Sequence, residues 1–232
     1  MTHLEILLLY LRGTLYYMVQ MLPCMFAALL LFALFLPLRK KRLAERNLHS
    51  TKTRECALLV FLSFCAGLGA VTLFPADLWA ELIEHTLTPG AGPFDWSACY
   101  PGREEIARRI ADLPDILSPF QEIRRAFRGY PWLLFIFFGN IIMFVPVGLF
   151  TGLLWRNPKW WKAFLAGLLS STTIETVQLF IGRRTDVDDV ILNTLGALLG
   201  YWLFCVLKHL NPVLCAQFHC QERKDLQNGS SH

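Results

Sequence analysis

Apolar and polar residues are sorted into long blocks along this chain. A helix needs about 20 mostly apolar residues to cross the hydrocarbon core of a bilayer. Stretches 14–38, 56–75, 130–154, 160–181 and 190–207 meet that length. Gln20 and Pro23 interrupt the first stretch without ending it. Residues 4–11 (LEILLLYL) are too short to span alone; they extend the first helix or lie at the interface. The other spanning architecture, a β-barrel, needs short strands of alternating polarity, and the blocks do not alternate. The pattern predicts an all-α fold: a polytopic membrane bundle of about five transmembrane helices.

Composition agrees with that reading. Of 232 residues, 54% are hydrophobic and 17% charged, against about 25% charged in a soluble domain. Cysteines 24, 56, 65 and 205 fall in or beside apolar stretches and read as small buried hydrophobes rather than a disulfide framework. Cys215 and Cys220 lie near His209 and His219, but their spacing matches no familiar zinc pattern. Arg12 is the lone basic residue ahead of the first block, and the dense positive cluster follows it. This order fits an uncleaved anchor better than a secretory signal.

Charge placement predicts orientation. Arg39, Lys40, Lys41, Arg42, Arg46, Lys52 and Arg54 crowd the loop 39–55. Arg156, Lys159 and Lys162 follow the third stretch, and Lys208, Arg223 and Lys224 follow the fifth. With five helices all of these fall on one side, which the positive-inside rule makes cytoplasmic. The N-terminus then faces out and the C-terminus in. The chain divides into two N-terminal helices with a basic cytoplasmic loop (1–75), an extracellular segment (76–129), a three-helix core (130–207) and a polar cytoplasmic tail (208–232). The tail from Pro212 onward is expected to be poorly ordered. Within 76–129, the stretch 89–102 is rich in Pro and Gly and reads as a loop. Phe120, Ile123 and Phe127 recur at helical spacing, with Arg124, Arg125 and Arg128 on the other face. They predict a short amphipathic helix that lies on the membrane surface or packs on the bundle.

The chemistry concentrates at one end of the core. Glu175 and Gln178 sit three apart on the fourth helix, and Ser171 shares their face. A polar turn, Gly182-Arg183-Arg184-Thr185-Asp186-Val187-Asp188-Asp189, follows. The fifth helix then shows one stripe: Asp189, Asn193, Gly196 and Gly200. At 1.5 Å per residue, Glu175 lies about 9 Å inside the outer end and Asn193 about 6 Å below Asp189. Asn140 on the third helix falls in the outer half as well. Pro146, Gly148 and Gly152 follow it. Ionisable residues inside a membrane mark function by default. The predicted site is an outward-opening polar pocket of Asn140, Ser171, Glu175, Gln178, Arg183, Asp186, Asp188, Asp189 and Asn193. Each residue also has a structural role open to it. Glu175 is a candidate protonated carboxylic acid bonded to Gln178 or Asn193. Arg183 and Arg184 are candidates to snorkel toward the interface. The three aspartates suit the start of the fifth helix.

These motifs carry a resemblance. Asn140-Ile-Ile-Met-Phe-Val-Pro146-Val-Gly148, then Ser171-Thr-Thr-Ile-Glu175-Thr-Val-Gln178, Gly182-Arg183-Arg184 and Asp186-Val-Asp188-Asp189 through Asn193, Gly196 and Gly200, resemble the VanZ-like family in order and spacing. Ser118-Pro119-Phe120 is similar to the Pro-Phe segment that precedes the third helix there. The resemblance covers roughly 115–205. It implies a multi-pass protein of the bacterial cytoplasmic membrane, most often Gram-positive. It also implies kinship to an accessory factor that lowers sensitivity to lipid-bearing glycopeptides such as teicoplanin.

Three functions compete. The first is a non-enzymatic cell-envelope or antibiotic-resistance factor whose pocket binds an amphiphile. The second is an enzyme on a lipid-linked substrate, with Glu175 as acid or base, Asp188 or Asp189 in support and Arg183 on a phosphate. The third is a proton-coupled transporter, which a single polar helix pair among five helices does not suggest. Enzymatic activity is left unassigned, with Glu175 and Asp189 as the catalytic candidates. Expected partners are membrane lipids and a lipid-linked wall precursor or lipoglycopeptide. No nucleic acid, metal or cofactor is expected.

Overall fold

A computed structural model describes residues 3–75, 78–116, 118–128 and 131–222. The first helix, α1, runs His3–Glu45. It absorbs the 4–11 segment and carries Arg39 to Arg42 on its last turns. Its 43 residues reach about 65 Å at 1.5 Å each, well beyond the ~30 Å apolar thickness of a bilayer. After the two-residue strand β1 (Leu48–His49), α2 spans Lys52–Thr72. The Thr51 hydroxyl caps α2 by accepting from the Arg54 amide at 3.1 Å.

The segment 76–129 is more helical than its breaker residues predict. It holds α3 (Leu78–Leu87), a 3-10 turn at Trp96–Cys99, α4 (Arg103–Ala111), α5 (Leu113–Ile116) and α6 (Gln121–Ala126). The predicted 119–128 helix is therefore only six residues long. Phe120 precedes it in the left-handed region at φ 67°. Then come α7 (Pro131–Leu154), α8 (Trp160–Phe180) and α9 (Val187–Leu210). The tail forms α10 (Pro212–Ala216) and β2 (Gln221–Glu222), which pairs antiparallel with β1. The folded stretch 212–222 corrects the expectation of a poorly ordered tail for those residues; the rest of that expectation, 223–232, lies outside the described residues. Cys215 is buried against Ala57, Leu154 and Phe204. The Arg54 guanidinium donates to the Phe218 carbonyl at 2.6 Å, and Thr51 bonds the Gln217 carbonyl. Those contacts give the segment buried partners that its composition does not advertise.

Among the described residues, five helices are long and apolar enough to cross a membrane: α1 from Val19, α2, α7 from Leu134, α8 and α9. Large apolar side chains such as Phe26, Leu34, Phe135, Leu169 and Trp202 stay exposed on them, as a lipid-facing surface requires. The chain is a multi-pass helical membrane protein.

The closest packing joins α7 and α9. Glycines face backbone across it. A Cβ added at Gly148 would sit 1.7 Å from the Ala197 carbonyl oxygen. One at Gly200 would sit 1.9 Å from that of Val145, and one at Gly196 2.1 Å from that of Ile141. On α8, a Cβ at Gly167 would meet the Ala197 methyl at 2.6 Å. Lipid tails are as apolar as leucine, so helices associate by dispersion and close approach, which small residues permit. The stripe of Asn193, Gly196 and Gly200 predicted from spacing is thus the seam of the bundle.

Gly200→Leu is expected to cost more than about 3 kcal/mol, because the clash is with backbone rather than a movable side chain. The yield of monodisperse protein from membranes should collapse. Gly139→Ala, where nothing lies within 4 Å, should leave the yield unchanged. Equal yields would overturn the seam.

Candidate functional site

The residues singled out by sequence do converge at one end of α7, α8 and α9. They do so mainly by bonding backbone. Asp186 caps α9 by accepting from the Asp188 amide at 2.9 Å. The Asp186 amide in turn donates to Glu175 Oε2 at 2.9 Å. The Thr185 hydroxyl donates to the Glu175 carbonyl at 3.4 Å. Buried Glu175 therefore holds the α8–α9 turn; its recorded partner is a backbone amide rather than Gln178 or Asn193. Gly182, at φ 80°, lets the chain leave α8, and a Cβ there would press the Pro101 ring at 3.3 Å.

Asp188 is wholly buried. Its carboxylate accepts from the amides of Phe120 at 2.5 Å and Ile123 at 3.1 Å. An aspartate on α9 thus caps the first turn of α6, far away in sequence. Anionic groups suit a helix N-terminus because its amides are unpaired and its dipole is positive. The same carboxylate holds Phe120 in a backbone region that costs a non-glycine residue on the order of 1–3 kcal/mol.

The other residues act alike. Arg183 bonds the carbonyls of Val71 and, at 3.0 Å, Phe74, at the C-terminal end of α2. It is a helix cap and not a snorkelling side chain. Gln178 donates to the Thr72 carbonyl at 3.2 Å. The Asn140 amide bonds Asp189, joining α7 to α9. Asn193 donates to Ser171 at 2.8 Å, joining α9 to α8. Asn193 Oδ1 is buried and has no hydrogen-bond partner among the described residues.

Open space lies just beyond this network. A cleft of about 370 Å³ separates the turn from α4, α5 and α6, within the ~300–1,000 Å³ range usual for ligand sites. Arg109, Arg125 and Arg184 line it, opposed by Glu105, Asp112 and Asp186. Ser118, Gln121 and Thr185 add neutral polar groups. Of the nine pocket residues predicted from sequence, Asp186 alone belongs to this lining; the other eight lie outside it. Arg109 braces the cleft. It pairs with Glu105 at 3.0 Å and donates to the carbonyls of Arg183 at 2.8 Å and Gly182 at 3.0 Å. Sequence reasoning missed Arg109, although Glu105 and Arg109 are four apart in the charged run 103–109, a spacing that pairs side chains on a helix.

Comparison with known proteins bears on the same region. The VanZ/LLP1 family model matches residues 94–208. This chain belongs to the VanZ-like family. It is 36% identical over 74 residues to Protein VanZ of Enterococcus faecium, covering 31% of this chain and 46% of that protein. The match thus spans about half the length of the curated relative. No solved structure matches. The VanZ-like region begins well before α7, so it takes in α4, α5, α6 and the whole cleft.

Asp188→Ala strands two amides, at about 1–3 kcal/mol each. The variant should lose stability in denaturant titrations. Trypsin should cut faster at Arg124 and Arg125, on the α6 that Asp188 caps. Glu175→Gln keeps a carbonyl-type acceptor for the Asp186 amide and should stay within about 1 kcal/mol of wild type, whereas Glu175→Leu should not. Unchanged tryptic rates in Asp188→Ala would remove the cap from the account.

Proposed function

We propose that this VanZ-like protein is a cell-envelope factor acting at the outer face of a bacterial cytoplasmic membrane. Its N-terminus lies outside and its C-terminus inside. The cleft between the 182–186 turn and α4–α6 receives the polar part of an amphiphile, a lipoglycopeptide of the teicoplanin type or a lipid-linked wall precursor. Membrane lipids accept the apolar part. The observation that carries this reading is the mixed-charge cleft, set at the end of the apolar bundle with three arginines in its lining. Arginines near an anionic surface each contribute about 1 kcal/mol of attraction. The exposed Phe120 and Phe127 beside them supply an apolar edge that α6 turns toward the interface.

Binding is favoured over catalysis by where the polar atoms go. An enzyme using Glu175 as acid or base, Asp188 or Asp189 in support and Arg183 on phosphate would need those groups to face substrate. Here Glu175, Asp188 and Arg183 hold backbone, and Asp189 holds Asn140.

Two outcomes test the proposal. In a sensitive Gram-positive host the wild-type protein should raise the teicoplanin concentration needed for inhibition. Arg184→Glu should reduce that protection several-fold at matched membrane abundance, and Glu175→Gln should retain it. Protection lost in Glu175→Gln and kept in Arg184→Glu would favour the enzyme. For orientation, Cys99 should react with an impermeant maleimide added outside intact cells, and Cys99→Ser should abolish the signal. Desolvation, then the hydrogen bond and charge of Glu81 and the charge of Asp95, raise the Cys99 thiol pKa. The reactive thiolate is therefore scarce at neutral pH, and labelling should accelerate as pH rises through and above the ordinary thiol range. Labelling only after permeabilisation would invert the topology.

A further inference from the structure

A second cavity lies at the opposite end of the bundle, where the basic loops gather. It measures about 200 Å³, smaller than the ~300 Å³ at which drug-sized sites begin. Three separate pieces of chain meet around it. Leu48 and Arg54 come from the start of α2 and the strand before it. Leu154 and Arg156 come from the end of α7, and His219 and Cys220 from the folded tail. The lining holds two guanidiniums and an imidazole and no carboxylate.

The polar groups there are not consumed by one another. Arg54 spends one terminal nitrogen on the carbonyls of Leu154 at 2.9 Å and Phe218 at 2.6 Å, which fixes its position. Arg156 is exposed. His219 Nδ1 is buried without a hydrogen-bond partner among the described residues. Burial first, then the positive charges of Arg54 and Lys208, lower the His219 pKa. The imidazole thus sits in a positive field that an anion would relieve.

Position narrows the ligand. Leu154 ends one spanning helix and Arg54 lies in the first turn of another, so the cavity opens at the level of the membrane interface. Trp155, Trp160 and Trp161 are exposed beside it, and the Lys162 ammonium stands 5.6 Å from the rings of Trp155 and Trp161. Tryptophans mark the headgroup level of a bilayer. Basic pockets between spanning helices at that level suit phosphate-bearing headgroups.

We infer that the Arg54–Arg156–His219 cavity binds a phosphate-bearing anion, supplied by an anionic phospholipid headgroup or by free phosphate. This site is separate from the cleft of the proposed function and does not rest on it. The test is thermal unfolding of the full-length protein in neutral detergent. Phosphatidylglycerol, phosphatidylcholine and inorganic phosphate would be added separately, the last against chloride of equal ionic strength. Phosphatidylglycerol is expected to raise Tm by several degrees over phosphatidylcholine. Arg156→Gln and His219→Gln should at least halve that rise, and Arg156→Lys should restore part of it. A comparable rise with phosphate, lost in the same variants, would make free phosphate the source and still support the site. Equal shifts with both lipids and none with phosphate would overturn it. So would a shift that survives undiminished in Arg156→Gln. Arg156 is exposed, so its replacement should leave the untreated Tm near wild type.

Discussion

A backbone amide or carbonyl that reaches a helix end near lipid has no water to bond, and leaving it unpaired costs several kcal/mol. The turn end of this protein is organised around that constraint. Asp188 takes the free amides of α6, Arg183 takes the free carbonyls of α2, and Glu175 takes the amide of Asp186. Arg109 takes the carbonyls that α8 leaves behind at Gly182 and Arg183. Each of these side chains is ionisable and costly to bury alone. Each is stabilised by oriented backbone dipoles of the opposite sign. The charges and the loose ends solve one another's problem, and the cleft exists because the loop they tether is held at a fixed distance from the bundle.

That tethering depends on the glycine seam. Gly148, Gly196 and Gly200 let α7 and α9 approach until Cβ atoms could not fit. The approach brings Asn140 to Asp189, and it sets the first turn of α9 beneath the start of α6. A wider α7–α9 spacing would withdraw Asp188 from Phe120, and the left-handed Phe120 would lose the bond that offsets its strain. Packing without side chains deep in the core therefore decides polar geometry at the surface.

How much of this was legible in the sequence follows from range. The five spans and the glycine stripe are local patterns with helical periods, and they read directly. The partners did not. Nothing in the letters around Asp188 announces an amide on a helix 65 residues earlier, and nothing around Arg183 announces carbonyls of α2. Capping in trans has no fixed spacing, so residues that looked like a pocket are its supports. The cleft lining was obscured for a different reason. Prolines and glycines near 89–102 made 76–129 look like loop, and α4 is too short and too charged to register as an apolar period. The folded tail escaped notice because its stabilising partners, Arg54 and Ala57, belong to α2.

The same logic explains why α2 stays attached at all. Its apolar contact with α7 is modest, and in lipid that contact has no hydrophobic driving force behind it. Arginines fix it at both ends instead. Arg183 closes its last turn onto the α8–α9 turn, while its own Arg54 reaches the Leu154 carbonyl of α7 and the Phe218 carbonyl of the tail. Charged hydrogen bonds hold about twice as strongly as neutral ones, and these sit where the interface supplies enough water to spare the charge its full desolvation. Among the described residues, α1 packs chiefly against α2, where Arg39 pairs with Glu55, and most of its apolar side chains from Val19 onward stay exposed. The bundle is thus graded outward from the α7–α9 seam, through α8 and the clamped α2, to a peripheral α1. The VanZ-like match begins at residue 94, which leaves α1 and α2 outside it: the helices that depend on the core, rather than the core itself.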